Sequence, residues 1–419
     1  MTSSPEDDKA LLENLRAEFG KKETMERLFH TVIPHLEEGK RTLVYILAQV
    51  DRIGHAAMEP FFLKTLFGPH YDRIVLITGQ GEGPGYNPFI LQCPGPEFVH
   101  VPTSDAILPL LGFLDGGVHD LKLFHLCLAS PQRVIRDFGR HATTGGEIRY
   151  FELPDTIRET GEAFLDEAGM PEGTPFVVLH ARDMSYLPEK AHHAFRCADI
   201  RTYEGAVRRF VEAGYWVFRL GDRGGVPLEG YPEQVVDLPR HPGYSQALDV
   251  FLSARCAFAF NQASGPEALV RAFGRPAATA NLVYELLRLP MKDDLLLFKH
   301  YLSASTGEPL SYSEILELGL PAIGKGEDFE AKGVVIRENS SEELSELAEI
   351  MIRRDLSGEA PELAADRLVL FRTLGRNYEQ KLIADPAMQT DNLDFYAYAH
   401  EFGRPAPSVL QRKGFLDRS

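Results

Sequence analysis

The residues best suited to bind an anion lie in the segment 256–282, which reads CAFAFNQASGPEALVRAFGRPAATANL. Its pattern predicts a short buried strand, a Ser-Gly turn, a helix and a second apolar strand. Ser264 is placed to cap the helix N-terminus, and Pro266 suits the first turn because the N–H that proline lacks is not needed there. The free N–H groups and helix dipole favour phosphate at this end. An ordinary capped strand–helix–strand connection fits the same pattern.

A second group of candidates follows an apolar run upstream. Residues 176–179 read FVVL, which is typical of a strand buried on both faces of a parallel sheet. Ligands of open α/β sheets bind beyond the carboxyl ends of the strands, where His180, Arg182 and Asp183 lie. Strand alternation places His180 and Arg182 on one side, and the guanidinium group of Arg182 suits a diphosphate. The structural alternatives are a satisfied core histidine and a local Arg182–Asp183 ion pair.

Five further residues are candidates for the same ligand. Gln262 lies in the Ser-Gly turn, and Glu267 lies in the first turn of the helix that follows it. Glu267 is placed either to bond a ribose hydroxyl or to lie in solvent as an acid that favours the helix dipole. Asp222 follows the run YWVFRL, where it suits a base or ribose contact or an ordinary strand-ending turn. Asp199 and Arg201 are weaker candidates for orienting groups.

The candidate base lies in the first half of the chain, in the sequence AQVDRIGHAAMEP. His55 follows the first predicted strand, and an imidazole can take the proton of an attacking hydroxyl near neutral pH. Asp51 and Glu59 are competing bases in the same segment. Alternatively, His55 hydrogen-bonds the helix that follows it.

The sequence predicts no metal site. It contains no Asp-x-Asp, and the adjacent carboxylates at 293–294 fall in a weakly patterned segment and do not share one strand face. The four cysteines form no C-x-x-C pair, so neither a structural zinc site nor a dithiol redox pair is expected. They are Cys93, Cys127, Cys197 and Cys256. We expect no cofactor beyond a co-substrate.

Composition indicates a soluble globular enzyme. The chain has 419 residues, of which 44% are hydrophobic and 25% charged, enough for two ordinary cores. A net charge of −17 argues against general nucleic-acid binding, which needs clustered cations. The N-terminus lacks the apolar region of a secretory signal, and no apolar run reaches the length of a membrane span. We therefore expect a cytoplasmic location, with peripheral membrane association left open.

Alternating strand-like and helical segments predict two Rossmann-like parallel-sheet domains. The first, 1–160, begins with a helical lead-in, and the second, 161–335, contains the anion-binding segment. A helical extension follows at 336–419, beginning with a capping box at Ser340 and Glu343. Residues 105–137 are expected to be helical, and 284–326 to form loops over the site.

Several of these segments together resemble a bacterial family of glycosyltransferases, and the likeness covers nearly the whole chain. They are RIGHAAMEP, VLHARD followed by HHAFRCADIRTY, GYWVFRLGD, NQASGPEALVRAFGRP and EFGRPAPSVLQRKGFL. The segment SGPEALVRAFGRP is also similar to the loop that binds the sugar donor in heptosyltransferases and other GT-B enzymes. At Gln262 and Ala263 the chain departs from the Thr-Asn pair that is more usual before Ser-Gly.

The resemblance implies a GT-B-like layout, with the ligand in a cleft between the two domains. The H-x-R formed by His180 and Arg182 is similar to the strand-end motif of fucosyltransferases that use GDP-fucose. It implies that Arg182 contacts the diphosphate, and that Ser264 and Gly265 supply N–H groups to the same ligand.

We therefore expect a glycosyltransferase of the hexosyl or deoxyhexosyl type that needs no metal. Its sugar donor is a nucleoside diphosphate sugar, with GDP-fucose favoured, and its acceptor is a glycan or lipid-linked molecule of bacterial surface-polysaccharide synthesis. Two alternatives stay open: an epimerase or hydrolase of nucleotide sugars with the same layout, and a non-catalytic protein that binds nucleotide sugars or glycans.

Overall fold

A computed structural model describes residues 5–83, 85–185, 188–284, 291–359, 361–384 and 402–416. The chain divides into two compact units, Met1–Pro154 and Asp155–Ser419. We refer to them as unit 1 and unit 2, and each is described by itself.

Unit 1 begins with the helices predicted as a lead-in and continues as an α/β sheet. Its helices are α1 (Pro5–Phe19), α2 (Lys22–Val32), α3 (Ile53–Phe67) and α4 (Pro131–Thr143). Its strands are β1 (Thr42–Leu47), β2 (Arg73–Thr78), β3 (Phe98–Pro102), β4 (Gly117–Asp120) and β5 (His125–Leu128).

The sheet of unit 1 has the order β3-β2-β1-β5-β4, in which β4 is antiparallel to β5 and the other neighbours are parallel. The chain adds strands on one side of β1 and then returns to its other side at β5. This reversal makes the boundary between β1 and β5 a topological switch point, where open α/β sheets bind ligands beyond the carboxyl ends of the strands.

Unit 2 contains a larger parallel sheet and most of the helices. Its strands are β6 (Phe176–Leu179), β7 (Trp216–Arg219), β8 (Val235–Asp237), β9 (Phe258–Asn261), β10 (Ala277–Leu282), β11 (Leu295–Phe298), β12 (His300–Ser303), β13 (Val334–Arg337) and β14 (Arg404–Pro405). Its helices are α5 (Asp155–Glu167), α6 (Glu204–Glu212), α7 (Gln246–Arg255), α8 (Gly265–Ala272), α9 (Tyr312–Glu317), α10 (Gly326–Ala331), α11 (Ser341–Ser357), α12 (Ala365–Ala384) and α13 (Pro407–Gln411).

Seven strands of unit 2 form one parallel sheet in the order β14-β11-β10-β9-β6-β7-β8. Here the chain runs outward from β6 to β8 and then returns to the other side of β6 at β9. The switch point of unit 2 therefore lies between β6 and β9, the two strands that the sequence analysis selected for ligand binding. The prediction of an α/β fold with two parallel-sheet units and C-terminal helices is confirmed.

Two stretches differ from the expectation. The segment 105–137, predicted as helical, contains a short 3₁₀ helix at Leu108–Phe113, the hairpin of β4 and β5, and the start of α4. The segment 284–326, predicted as loops, contributes the buried strand β11 as well as β12 and α9. Short apolar runs such as LLLF carry no periodicity that separates a strand from other buried structure, so the sequence pattern does not reveal them.

The helices after residue 336 belong to the core of unit 2. The capping box at Ser340 and Glu343 is present at the start of α11. Leu344 and Leu347 of α11, Phe371 of α12 and Val409 of α13 lie in one hydrophobic cluster with the sheet strands. Residues 385–401, which form part of the predicted extension, lie outside the described residues.

Candidate functional site

Gln262 joins the two strand ends at the switch point of unit 2. The backbone N–H of Arg182 donates to its Oε1 at 2.7 Å, and its Nε2 donates to the carbonyl of Arg196 at 3.1 Å. The carbonyl of Arg182 accepts a third bond, from the N–H of Ala198 at 2.9 Å. Gln262 is only 1% exposed. The amide of Gln262 therefore ties the backbone at Arg182 to the backbone at Arg196, a contact that the sequence analysis did not foresee for a candidate ligand-binding residue.

Removing this amide should destabilise the fold. Gln262→Leu keeps the size of the side chain but leaves an N–H and a carbonyl without their partner, and each such loss costs about 1–3 kcal/mol. We expect the free energy of unfolding to fall by about 2–4 kcal/mol in urea denaturation. Gln234→Leu, at a half-buried position just before β8, is the matched control and should change stability by less than about 0.5 kcal/mol. Equal stability of the two variants would contradict the role assigned to Gln262.

His180 is a buried neutral imidazole. It is 7% exposed, and its Nδ1 lies 3.0 Å from the carbonyl oxygen of Leu220, which can only accept, so Nδ1 carries the hydrogen. Burial lowers the pKa of His180 to about 4. At Nδ1 His180 is therefore the satisfied core histidine of the structural alternative. Its Nε2 carries a lone pair and can still accept a hydrogen bond. A ligand hydroxyl or N–H is the group that such an acceptor can bind.

The lowered pKa of His180 predicts a pH dependence of stability. The unfolded state takes up a proton near pH 6.5, but the folded state does so only near pH 4. The stabilisation is therefore complete above pH 6.5 and is lost as the pH falls towards 4, with a total near 3 kcal/mol. Urea denaturation of the wild type and His180→Gln should give stability curves that converge over this interval. Parallel curves would contradict the assignment.

Helix α8 begins at Gly265 without a side-chain cap. The hydroxyl of Ser264, the expected cap, donates instead to the carbonyl of Gln262 at 3.0 Å and makes no bond to the first turn. Ser264 therefore occupies the predicted N-cap position, but its side chain does not make the expected capping bond. The first-turn N–H groups are left without that cap, which is the state an anion site requires.

Asn261, which the sequence analysis passed over, is a second unusual feature of this turn. It ends β9, is 1% exposed, and neither atom of its side-chain amide has a hydrogen-bond partner among the described residues. Buried polar groups are nearly always paired, and an exception at a strand end points to a ligand or an ordered water. An asparagine directly before a Ser-Gly turn was the signal available in the sequence.

Glu267 is buried, so both expectations for it are wrong. It is 2% exposed, accepts a hydrogen bond from Thr279 of β10, and lies 2.9 Å from Nη2 of Arg271. Arg271 also contacts Asp294 at 2.8 Å, and burial raises the pKa of that aspartate. Neither a ribose contact nor a solvent-exposed acid fits this geometry. The cluster instead fixes the first turn of α8 against the sheet, and it places Asp294, expected in a weakly patterned segment, inside the core.

Asp183 and Asp222 both accept bonds from their own turns. Oδ1 of Asp183 accepts from the N–H of Ser185 at 2.9 Å, and Oδ1 of Asp222 accepts from the N–H of Gly224 at 2.7 Å. Asp183 lies 3.7 Å from Arg219, a buried arginine at the end of β7. Arg219 pairs more closely, at 2.8 Å, with Asp237. The ion pair of Asp183 is therefore made with a neighbouring strand, and Arg219 is a charged strand-end residue that the sequence analysis missed.

Asp199 and Arg201 pair with each other at the surface. Three contacts of 2.6–2.9 Å join the guanidinium group to the carboxylate, and the side chain of Arg201 is 75% exposed. Asp199 also accepts from the N–H of Arg201 and so caps the short 3₁₀ helix Ile200–Tyr203. Arg201 lowers the pKa of Asp199. These contacts give both residues a local structural role.

Lys299 adds a second cation near Arg182. It is 4% exposed, and its ammonium group donates to the carbonyl of Cys197. Burial lowers its pKa. The charges of Arg182 and Lys299 both favour the thiolate form of Cys197, although burial dominates and raises the pKa of that thiol. Both cations therefore act on Cys197, and two positive charges near one residue suit a ligand that carries negative charge.

The candidate bases of unit 1 lie just beyond β1 at its switch point. His55 is in the first turn of α3, and its Nδ1 lies 2.7 Å from Oε1 of Glu59. The hydroxyl of Tyr45 donates to Oε2 of Glu59 at 2.5 Å. Glu59 is 1% exposed, whereas the side chain of His55 is 29% exposed and Asp51 lies at the surface. Of the three predicted bases, His55 combines access with a fixed orientation.

Asp115 is a carboxylate that the sequence analysis missed at the same switch point. It is exposed and accepts bonds from both the N–H and the hydroxyl of Ser130, at 2.7 and 3.0 Å. Ser130 follows β5 and caps α4 through the N–H of Arg133. Because Asp115 precedes β4, which was not predicted, its position beside β5 could not be read from the sequence.

Two kinds of feature are absent from the described residues. In the part of the chain that the structure describes, no group of three or more His, Cys, Asp or Glu residues is arranged to hold a metal ion. Within the same residues, no helix combines the length and apolar character needed to cross a bilayer.

Comparisons with known proteins give weak structural likeness. No protein-family model matches the chain, and no curated protein matches it in sequence. A family 9 glycosyl transferase from Veillonella parvula is 12% identical with a TM-score of 0.41, covering 75% of this chain and 97% of that one. The heptosyltransferase WaaC of E. coli, bound to ADP-2-deoxy-2-fluoro heptose, is 11% identical with a TM-score of 0.33, covering 61% and 92%. These TM-scores are too low to carry an argument about this chain.

Proposed function

We propose that this protein is a GT-B-type glycosyltransferase that uses a nucleoside diphosphate sugar. One observation carries the proposal: each unit places its chemically suited side chains at the switch point of its own parallel sheet. In unit 2 these are Arg182 and the uncapped start of α8, which suit a diphosphate. In unit 1 it is His55, an oriented imidazole. A diphosphate site and a base are the two parts that glycosyl transfer to a hydroxyl needs.

Unit 2 is proposed to bind the sugar donor. Arg182, held at both its backbone N–H and its carbonyl, presents its charge to the diphosphate together with the first N–H groups of α8 at Gly265. The amide of Asn261, which has no partner among the described residues, and the Nε2 acceptor of His180 are available to polar groups of the same ligand. Asp222 is proposed to contact the base or ribose. The H-x-R of residues 180–182 favours GDP-fucose, which would make the enzyme a deoxyhexosyltransferase.

Unit 1 is proposed to supply the base. Nε2 of His55 takes the proton of an acceptor hydroxyl as its oxygen attacks the anomeric carbon. The bond from that carbon to the diphosphate breaks, and its electron pair leaves with the diphosphate. The acceptor is proposed to be a glycan or lipid-linked molecule of bacterial surface-polysaccharide synthesis, which agrees with a cytoplasmic enzyme that associates peripherally with a membrane.

The leaving diphosphate is proposed to be neutralised by Arg182 and backbone amides, with no divalent metal. Preorganised donors of this kind stabilise developing charge without a cofactor. We expect the rate of sugar transfer to stay within about twofold when excess EDTA is added, a difference well under 1 kcal/mol in barrier height. Loss of activity in EDTA that is restored by Mg²⁺ or Mn²⁺ would contradict this.

Nucleotide-dependent thermal stabilisation tests the proposed site for the sugar donor. GDP, UDP, ADP and CMP are compared at matched concentrations, because a ligand that binds only the folded state raises stability by mass action. We expect one nucleoside diphosphate, GDP by the H-x-R argument, to raise the melting temperature selectively. No stabilisation by any of the four, in protein shown to be folded, would remove the support for a nucleotide-sugar enzyme.

A further inference from the structure

Glu59 is a buried carboxylate that is held from two different elements. It is 1% exposed, and each oxygen has its own partner: the hydroxyl of Tyr45 at 2.5 Å and Nδ1 of His55 at 2.7 Å. A carboxylate can only accept hydrogen bonds, so the phenol and Nδ1 are both donors. An ionised carboxyl group needs such partners to be tolerated away from water. Glu59 is therefore committed to two interactions and is not accessible as a base itself.

The contact fixes the tautomer of His55. With the hydrogen on Nδ1, the neutral ring has its lone pair on Nε2. The His55 side chain is 29% exposed although Nδ1 is turned to the buried carboxylate, so Nε2 is the nitrogen left for a substrate proton. Histidine and glutamate four residues apart on a helix often pair at the surface. This pair differs because the carboxylate is buried and is anchored by a residue of the sheet.

Tyr45 supplies the rigid end of the arrangement. It is fully buried in the middle of β1, where it lies opposite Leu76 of β2 and Cys127 of β5. Burial, with the charge of Glu59, raises the pKa of Tyr45 well above its ordinary value, so the phenol stays a neutral donor. Its backbone is held by a paired strand on each side. The orientation of Glu59 is thus set by the sheet and not only by α3.

We propose that Tyr45 and Glu59 are positioning residues that hold His55 in the Nδ1–H tautomer, so that Nε2 accepts the proton of the attacking hydroxyl. The order of phenol, carboxylate and imidazole gives the carboxylate the orienting role that an aspartate has in a serine-protease triad. The statement that Nε2 accepts the proton of an acceptor hydroxyl rests on the proposed function. The tautomer assigned to His55 does not.

The tautomer can be measured directly by ¹⁵N NMR of the histidine side chains, on the full chain at a pH where His55 is neutral. We expect hydrogen on Nδ1 of His55 in the wild type. In Glu59→Gln one of the two carboxylate oxygens is replaced by an NH₂ group, which can donate to Nδ1 of His55 or to the hydroxyl of Tyr45. We therefore expect hydrogen on Nε2 of His55 or a mixture of tautomers. Tyr45→Phe keeps the carboxylate, so the Nδ1–H form should remain dominant while kcat still falls.

Kinetics then separate positioning from binding. We expect Glu59→Gln to lower kcat about 10²–10³-fold with little change in KM for the nucleotide sugar, and Tyr45→Phe to lower it about tenfold. Tyr71→Phe is the matched control, because the hydroxyl of Tyr71 contacts Nδ1 of His125 at 2.7 Å, at the opposite end of β5. It should leave kcat unchanged. Thermal unfolding of each variant confirms that it is folded.

The outcomes distinguish this inference from the function on which it rests. Hydrogen on Nε2 of His55 in the wild type, or no tautomer change in a folded Glu59→Gln protein, would overturn the positioning role of Tyr45 and Glu59 whether or not sugar transfer is observed. The expected tautomers together with no turnover of any nucleotide sugar would support that positioning role and overturn the proposed function.

Discussion

Arg182→Ala should abolish the thermal stabilisation that the preferred nucleoside diphosphate gives to the wild type. Arg182 is a charged residue at the switch point of unit 2, and its backbone N–H and carbonyl are both hydrogen-bonded there. A charge-assisted contact to phosphate is worth about 1.5–3 kcal/mol, so its loss weakens binding by roughly ten- to a hundredfold. At a nucleotide concentration near the wild-type dissociation constant, the shift in melting temperature then disappears.

Arg208→Ala is the matched control for this variant. Arg208 pairs with Glu204 on the exposed surface of α6, so its removal deletes one cationic charge without touching the switch point. We expect wild-type stabilisation by nucleotide in this protein. Full stabilisation of Arg182→Ala as well would show that the diphosphate does not depend on Arg182, and equal losses in both variants would reduce the effect to net charge.

His55→Gln should stop turnover while leaving the binding of nucleotide intact. The variant removes Nε2 as a proton acceptor, and general base catalysis contributes about 10²–10⁴-fold to such reactions. Unit 2 is unchanged, so the nucleotide should stabilise His55→Gln as much as the wild type. The rate is followed as release of nucleoside diphosphate from the nucleotide sugar in the presence of a glycan and lipid-linked oligosaccharide extract that supplies the acceptor hydroxyl.

His70→Gln controls for the loss of an imidazole elsewhere in unit 1, because His70 is exposed beyond the end of α3. Its rate should equal that of the wild type. A His55→Gln protein that turns over within about threefold of the wild type would contradict a general base at this position, since that difference is below 1 kcal/mol. Asp51, exposed in the turn after β1, would then be the residue to test.

The apolar runs of the sequence predict most of the central strands and both sheet edges that carry the candidate site residues. FVVL and AFAF become the adjacent strands β6 and β9, and the residues that follow them meet through the contact between Gln262 and Arg182. Parallel strands present their carboxyl ends at one edge, so charged residues after two such runs are expected to come together. This part of the site follows from pattern and topology alone.

The partners of the buried carboxylates could not be predicted in the same way. Glu267 reads as a surface acid in a first helical turn, yet Thr279 and Asp294 complete its cluster from distant parts of unit 2. Glu59 reads as a possible base, yet Tyr45 of β1 holds it inside unit 1. Burial of a charged group depends on partners set by the tertiary fold, and sequence spacing does not record them.

The central claim is tested most directly by acceptor-dependent release of nucleoside diphosphate. The nucleotide sugar is incubated with the protein in excess EDTA, with and without a glycan and lipid-linked oligosaccharide extract. We predict that release of the diphosphate requires the extract and that the sugar is recovered on a component of it. Conversion or hydrolysis of the nucleotide sugar at the same rate without extract would identify an epimerase or hydrolase instead. Binding with no conversion under either condition would leave a nucleotide-sugar-binding protein and contradict the account.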